Sequence, residues 1–333
     1  MERITAAITG VGGYVPPDVL TNYQLENMLD ITDTWIREHL GVRERRILKG
    51  PGQGTSLICN YTAMEICHKR GISPEEIEIL IIATSTPDMI TPNTASIVAR
   101  DIGAVNAWGI DLNGACAGFL IGLQVGASFI ENGRYKKVMV IGADKMSCLV
   151  DYKERVTAAV FGDGGGGVLL EPDTTGLGIN DTLLKTDGNG GEHLFIKAGG
   201  SAWPATEETV QNREHFMRMN GKAIFSAAVQ HLSEIIAEIL QRNRLTAEDI
   251  RWLVPHQANK RIVSATAAEL DFPLEKTMFN IERYGNTTAG TIPLCLWDYE
   301  DTLQKGDNLL LVAFGAGFTW GAMHVVWAYD SAD

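Results

Sequence analysis

Three short stretches carry residue types able to run acyl-transfer chemistry. "DLNGACAGFL" (111–120) sets Cys116 among residues too small to crowd it, just where a loop gives way to a helix. The free N–H groups and partial positive charge at a helix start stabilise a thiolate and lower its pKa, which makes Cys116 a candidate nucleophile. A lone cysteine is otherwise a small buried hydrophobe, and Cys59, Cys67 and Cys295, each inside a helical pattern, take that reading. "RWLVPHQANK" (251–260) places His256 directly after a short apolar strand, at the strand end where ligand sites of open α/β sheets collect. "ERYGNTTAGTIP" (282–293) places Asn286 just ahead of another helix start, a position where asparagine otherwise serves as a turn or cap residue.

The elements that position these residues follow from an internal duplication. "SPEEIEILIIATST" from Ser73 aligns with "TAEDIRWLVPHQAN" from Thr246, and "ENGRYKKVMVIGAD" from Glu131 with "QKGDNLLLVAFGAG" from Gln304, both at an offset of 173. "ACAGF" and "TTAGT" correspond between them, so the Cys116 and Asn286 segments are counterparts and are expected to face one centre. Each half reads as helix, buried strand, helix, buried strand, and continuous apolar strands alternating with helices imply sheets covered on both faces. The helix after Cys116 carries Gly118, Gly122 and Gly126 on one stripe and is apolar nearly all round, hence central and buried.

Composition narrows the function class. With 333 residues, 45% hydrophobic and 21% charged, the chain is that of a globular protein large enough for two halves. No apolar run approaches the roughly 18 residues of a membrane helix, and "MERITAAITGVGGYVPP" lacks the pattern of a signal peptide, so a cytoplasmic location is expected. Five scattered cysteines without a C-x-x-C pair argue against a disulfide framework and a zinc site. A formal charge of −13 disfavours nucleic acid and anionic membrane. G-x-G-x-x-G at Gly162, Gly164 and Gly167 is not a dinucleotide loop, because a strand-like "VLLEPD" follows it; a tight turn and close packing are expected of these glycines.

Cys116 in "NGACAGF", His256 in "VPHQAN" and Asn286 in "YGNTTAGTIP" together resemble the β-ketoacyl-acyl carrier protein synthase III family of thiolase-fold condensing enzymes. "FGDG" (161–164), "GGSAWP" (199–204) and "AFGAGFTWG" (313–321) are similar to family segments in the same order. The resemblance implies an α/β thiolase-like fold of two duplicated halves in α-β-α-β-α layers, with residues 1–174 carrying the cysteine and 175–333 the histidine and asparagine. It implies a homodimer, no cofactor and no metal. The implied reaction moves a short acyl group from acyl-CoA to Cys116, then condenses it with malonyl-acyl carrier protein as CO2 leaves, initiating fatty-acid synthesis. A starter-unit enzyme of secondary metabolism and a non-catalytic paralogue are the alternatives.

By the same resemblance, the oxyanion is held by the backbone N–H groups of Cys116 and Ala316, the latter in "GAG" where many relatives have "GGG". His256 and Asn286 donate to the malonyl thioester oxygen, His256 as a neutral ring through Nε2. Trp35 and Arg155 flank the CoA adenine, with His39 where an arginine is common, and Gly221 and Asn259 line the pantetheine channel. Lys260 and Arg261 dock the carrier protein. Ser226, Ala268 and Glu269 replace basic residues of some relatives, which makes the expected patch thinner or displaces it toward Lys222, Arg213 and Arg218. "STPDMITPNT" (85–94), with Met89 and Ile90, is expected at the dimer contact that closes the acyl pocket.

Overall fold

The computed structural model describes residues 3–330. Two sheets form its core. The first combines β1 (Thr5–Tyr14), β2 (Ile79–Ala83), β3 (Trp108–Leu112), β4 (Val138–Lys145) and β5 (Asp163–Asp173) in the order β1-β5-β4-β2-β3. The second combines β6 (Gly178–Thr186), β7 (Trp252–Pro255), β8 (Asn308–Gly315) and β9 (Thr319–Val326) in the order β7-β8-β9-β6. The duplication read from the sequence recurs in this topology: β4 pairs parallel with β2 and antiparallel with β5, as β8 does with β7 and β9. Strand β3 is the one addition to the first sheet, and it forms that sheet's edge.

Helices complete five layers. α1 (Thr55–Arg70) covers the outer face of the first sheet and ends at Gly71, whose φ of +67° supplies the left-handed cap. α2 (Gly118–Glu131) and α5 (Thr291–Tyr299) lie between the sheets, while α3 (Gly221–Asn243) and α4 (Lys260–Glu269) cover the outer face of the second. α3 is long and apolar enough to cross a membrane. Its Leu232, Ile235, Ile236 and Ile239 are instead buried in the core over the second sheet, so it reads as a core helix.

The glycine stripe on α2 is a packing device at two of its three positions. A Cβ at Gly122 would lie 2.9 Å from Val140 Cγ1, and one at Gly126 would lie 2.9 Å from Leu170 Cδ1. Neither neighbour can yield inside a packed sheet, so the roughly 1 kcal/mol that interior glycine costs is offset by close approach. At Gly118 the nearest atom is 3.4 Å away, an ordinary contact, so packing does not require glycine there.

The glycine run 164–167 belongs to β5, not to a tight turn. Gly165 and Gly167 pack against β4, while Gly166, with Gly162 and Gly142 near it, helps seat the segment that carries Asn286 and α5. Cβ atoms at Gly162 and Gly166 would meet Tyr284 O at 2.2 Å and the Pro293 backbone at 2.9 Å, and one at Gly142 would meet Ala289 O at 2.2 Å. Backbone bonds from Asn286 N to Val160 O (2.8 Å) and from Gly162 N to Asn286 O (3.1 Å) pin that segment to the first half.

Candidate active site

Cys116, His256 and Asn286 open onto one cavity of about 670 Å³. Each is at most 6% exposed, so their reactive groups meet the cavity and little else.

Cys116 occupies a 3₁₀ turn, Ala115–Ala117, that leads into α2. Ala115 has a φ of +46°, a left-handed conformation uncommon for a residue with a Cβ, which makes the bend before the thiol sharp. The end of β8 abuts this bend: a Cβ on Gly315 would fall 2.8 Å from Cys116 N. Ala316 therefore follows directly beside the nucleophile, and its φ is not left-handed, so the "GAG" variant carries no backbone strain there. The thiol departs from expectation. Burial, and then the charge of buried Asp144, push it up to about 12, and the opposing backbone N–H of Cys116 does not compensate. Desolvation outweighs the helix-start effect, so Cys116 rests as a thiol.

His256 leaves β7 immediately after Pro255. Its backbone N–H donates to Val312 O (2.8 Å), and Gln257 locks the loop: Nε2 donates to Pro255 O (2.8 Å) and Met278 O (3.1 Å), while Oε1 accepts from Asn280 N and Ile281 N. The ring's Nδ1 lies 2.7 Å from Thr291 Oγ1. Burial lowers the ring's pKa to about 3, so the imidazole is neutral in the working range. Asn286 turns its side chain the complementary way. Oδ1 accepts the Thr288 N–H at 2.8 Å, which leaves the amide hydrogens for the cavity.

Asp144, at the end of β4, ties this turn to the first half. Oδ1 accepts from Thr84 Oγ1 (3.0 Å), Ser85 N (2.7 Å), Thr86 N (3.0 Å) and Thr86 Oγ1 (2.9 Å), and Oδ2 from the Thr288 hydroxyl and Ala289 N (3.3 Å). Thr288 holds a φ of +50°, a conformation a β-branched residue rarely adopts, and its bond to Asp144 helps stabilise it. Sequence reasoning missed Asp144, Gln257, Thr288 and Thr291.

The remaining candidates are distributed as follows. Trp35, Gly221 and Asn259 line the same cavity; Arg155 does not. His39 stacks on Trp35 with centroids 4.6 Å apart, and the Arg155 guanidinium lies 5.8 Å from the Trp35 ring. A planar base between Trp35 and Arg155 needs about 7 Å, two van der Waals contacts of roughly 3.5 Å, so that slot is closed in this conformation. Asn259 caps α4, its Oδ1 accepting Arg261 N at 2.8 Å. A Cβ at Gly221 would meet nothing within 4 Å. Lys222, Lys260 and Arg261 are exposed, while Arg213 and Arg218 both pair with Asp151, whose single negative charge offsets one of the two cations.

Residues 110–188 match the family described as 3-oxoacyl-[acyl-carrier-protein] synthase III, and residues 240–327 match its C-terminal domain. The chain is 53% identical, over 97% of its length and 99% of the relative's, to the β-ketoacyl-[acyl-carrier-protein] synthase III of Chlorobaculum tepidum. Among solved structures it is similar to 3-oxoacyl-[acyl-carrier-protein] synthase III from Aquifex aeolicus, with a TM-score of 0.89, 35% identity, and 97% and 100% of the two chains covered. It is also similar to the priming β-ketosynthase of the R1128 polyketide pathway, with a TM-score of 0.91, 28% identity and 98% of each chain covered.

Proposed function

This chain belongs to the 3-oxoacyl-[acyl-carrier-protein] synthase III family, and we infer from that membership and from the site that it initiates fatty-acid synthesis as a condensing acyltransferase. The carrying observation is that a thiol and two side-chain donors, held by opposite halves, open onto one cavity. In the first step Cys116 Sγ attacks the acyl-CoA carbonyl, the Cys116 and Ala316 N–H groups hold the oxyanion, and the CoA thiolate departs with the proton the cysteine gives up. In the second, malonyl-acyl carrier protein enters, the C–CO2 bond breaks, and the electron pair forms an enolate stabilised by His256 Nε2–H and an Asn286 amide hydrogen. That carbanion attacks the acyl-cysteine carbonyl and expels the Cys116 thiolate, which takes up a proton from solvent. Both neutral donors suit an oxyanion that forms only during reaction.

Trp35, Gly221 and Asn259 guide the thioester arm in this reading, and Lys260 and Arg261 receive the acidic carrier protein. These cations stand on the first turn of α4, where the helix dipole disfavours them, which argues for a role outside the fold. Among the described residues strand β3 is bonded on one side only, and Trp108 on it and Ile90 nearby are 39% and 90% exposed, as a second copy paired along that edge would require. The thioesters and these side chains supply all the groups in the scheme, and we place the enzyme in the cytoplasm as a homodimer. The likeness to a priming ketosynthase favours a second reading in which the same chemistry serves another acyl donor.

Incubation with a panel of acyl-CoA donors, followed by malonyl-acyl carrier protein, tests the assignment. An acyl mass increment on Cys116 that is lost in Cys116→Ala, and a 3-oxoacyl-carrier product, are expected. Absence of the increment with every donor rejects it, and a preference for unusual donors without efficient condensation selects the second reading.

A further inference from the structure

A neutral imidazole carries one N–H, and its position decides what His256 can do. Nδ1 is occupied by Thr291, so Nε2 is the nitrogen left for the cavity. Thr291 Oγ1 lies 2.7 Å from Nδ1 and 3.0 Å from Thr288 O, and its single proton serves one of them. Given to the carbonyl, it forces Nδ1 to be the protonated nitrogen and leaves Nε2 bare. Given to Nδ1, it makes Nε2 the donor.

Two observations separate these states. Thr288 O already accepts the backbone N–H of Thr291, which closes the 3₁₀ turn ahead of α5, so that carbonyl is satisfied without the hydroxyl. The distances agree: hydroxyl donors cluster at about 2.7–2.8 Å and N–H donors at about 2.9–3.0 Å. The Nδ1 contact has the length of a hydroxyl donating, and the carbonyl contact is long for one.

We propose that Thr291 is a positioning residue that donates its hydroxyl proton to Nδ1 of His256 and thereby holds the ring as the Nε2–H tautomer, with the donor aimed at the substrate. This rests on the reading of His256 as the partner of the malonyl thioester. Thr291 is 1% exposed and lies outside the cavity lining, so it acts through the ring and not on the substrate. A division of labour follows. With a hydrogen on Nε2 the ring has no lone pair there for the Cys116 proton, so acylation of Cys116 is independent of Thr291, while decarboxylation depends on it.

The test uses the full-length protein labelled with ¹⁵N-histidine, with the His256 resonances assigned by their loss in His256→Asn. Nitrogen spectra should show wild type and Thr291→Ser with Nδ1 bare and Nε2 protonated. In Thr291→Val the Nε2–H share relative to the other tautomer should fall by about five- to tenfold, the worth of one hydrogen bond. Malonyl-carrier decarboxylation should fall in Thr291→Val in proportion to the Nε2–H fraction lost and be restored by serine, with Cys116 acylation by acyl-CoA unchanged within about twofold in all three. A wild-type ring protonated at Nδ1 overturns the proposal, as does a Thr291→Val protein with wild-type tautomer ratio and rate. Failure of wild-type Cys116 to acylate would instead overturn the parent reading, and the tautomer spectrum would stand apart from it.

Discussion

Asp144→Asn should make Cys116 more reactive while making the enzyme worse at condensation. The carboxylate accepts six donors across two oxygens, four from Thr84, Ser85 and Thr86 and two from Thr288 and Ala289. One amide oxygen can keep only one side. The larger set wins, so the new NH2 faces the turn, where the Thr288 hydroxyl can rotate to accept but the Ala289 N–H is left unpaired. An orphaned buried donor costs about 1–3 kcal/mol, and the surviving bonds lose their charge assistance; relief of the carboxylate's own desolvation offsets part, for a net loss of about 2–3 kcal/mol. Loss of the tether also frees Thr288, whose N–H holds Asn286 Oδ1, and a slip worth only about 1.4 kcal/mol in the transition state slows condensation tenfold. The thiol moves the other way. Asp144 is, after burial, what raises the Cys116 pKa, so removing its charge lowers that pKa and raises the thiolate fraction at neutral pH. Iodoacetamide labelling quantified site by site by mass, thermal unfolding and carrier-protein condensation read these three effects. Unchanged Cys116 labelling together with wild-type condensation would refute the reasoning.

Other substitutions probe the cavity and its approaches. Gly221→Val should fold as wild type, because a Cβ there meets nothing within 4 Å, yet raise the KM for both thioesters by roughly tenfold by narrowing the channel; circular dichroism and steady-state kinetics check this. His39→Ala should lower the KM for acyl-CoA by freeing Trp35, with no effect on that for malonyl-carrier protein. Reversing Lys260 and Arg261 to glutamate together should raise the KM for carrier protein by about tenfold, leave acyl-CoA untouched and flatten the salt dependence. His256 also predicts acid lability. Its folded pKa of about 3 lies below the ordinary 6.5, so between these values the unfolded chain binds a proton the folded chain refuses, and stability falls as pH drops through that window. Urea unfolding across the window should show a smaller loss in His256→Gln.

Much of this was legible before the structure because the signals are local. The core strands announce themselves as unbroken apolar runs, the duplication repeats them at a fixed offset, and Cys116, His256 and Asn286 each sit in a short motif beside a strand end or helix start. What escaped was long-range or depended on burial. Asp144 and Thr288 are 144 residues apart and carry no pattern that joins them. The cysteine's pKa is not legible in sequence because the helix-start argument depends on local sequence, whereas desolvation depends on everything packed around the thiol. "FGDGGGGV" suggests both a tight turn and close packing: the turn is absent because the run lies in a strand, and the close packing is present, with Gly162 and Gly166 making room for another segment's backbone. The docking patch is harder to read for a related reason: sequence counts the charges of Arg213 and Arg218 but does not show that both pair with Asp151, whose single charge offsets one of them.

The turn 286–291 explains why the two halves must meet where they do. Within it, Thr288 N orients Asn286, the Thr288 hydroxyl binds Asp144 on the first half, and Thr291 reaches His256 on β7's extension. One turn of a few residues therefore fixes both side-chain donors relative to each other and to the strand end from which Asp144 influences Cys116. Donors on two loops without such a link would drift independently, and an enolate that exists only in passing rewards donors already in place. The small residues of β5 and Gly142, which let this turn lie directly on the first sheet, are thus part of the catalytic geometry although none touches a substrate.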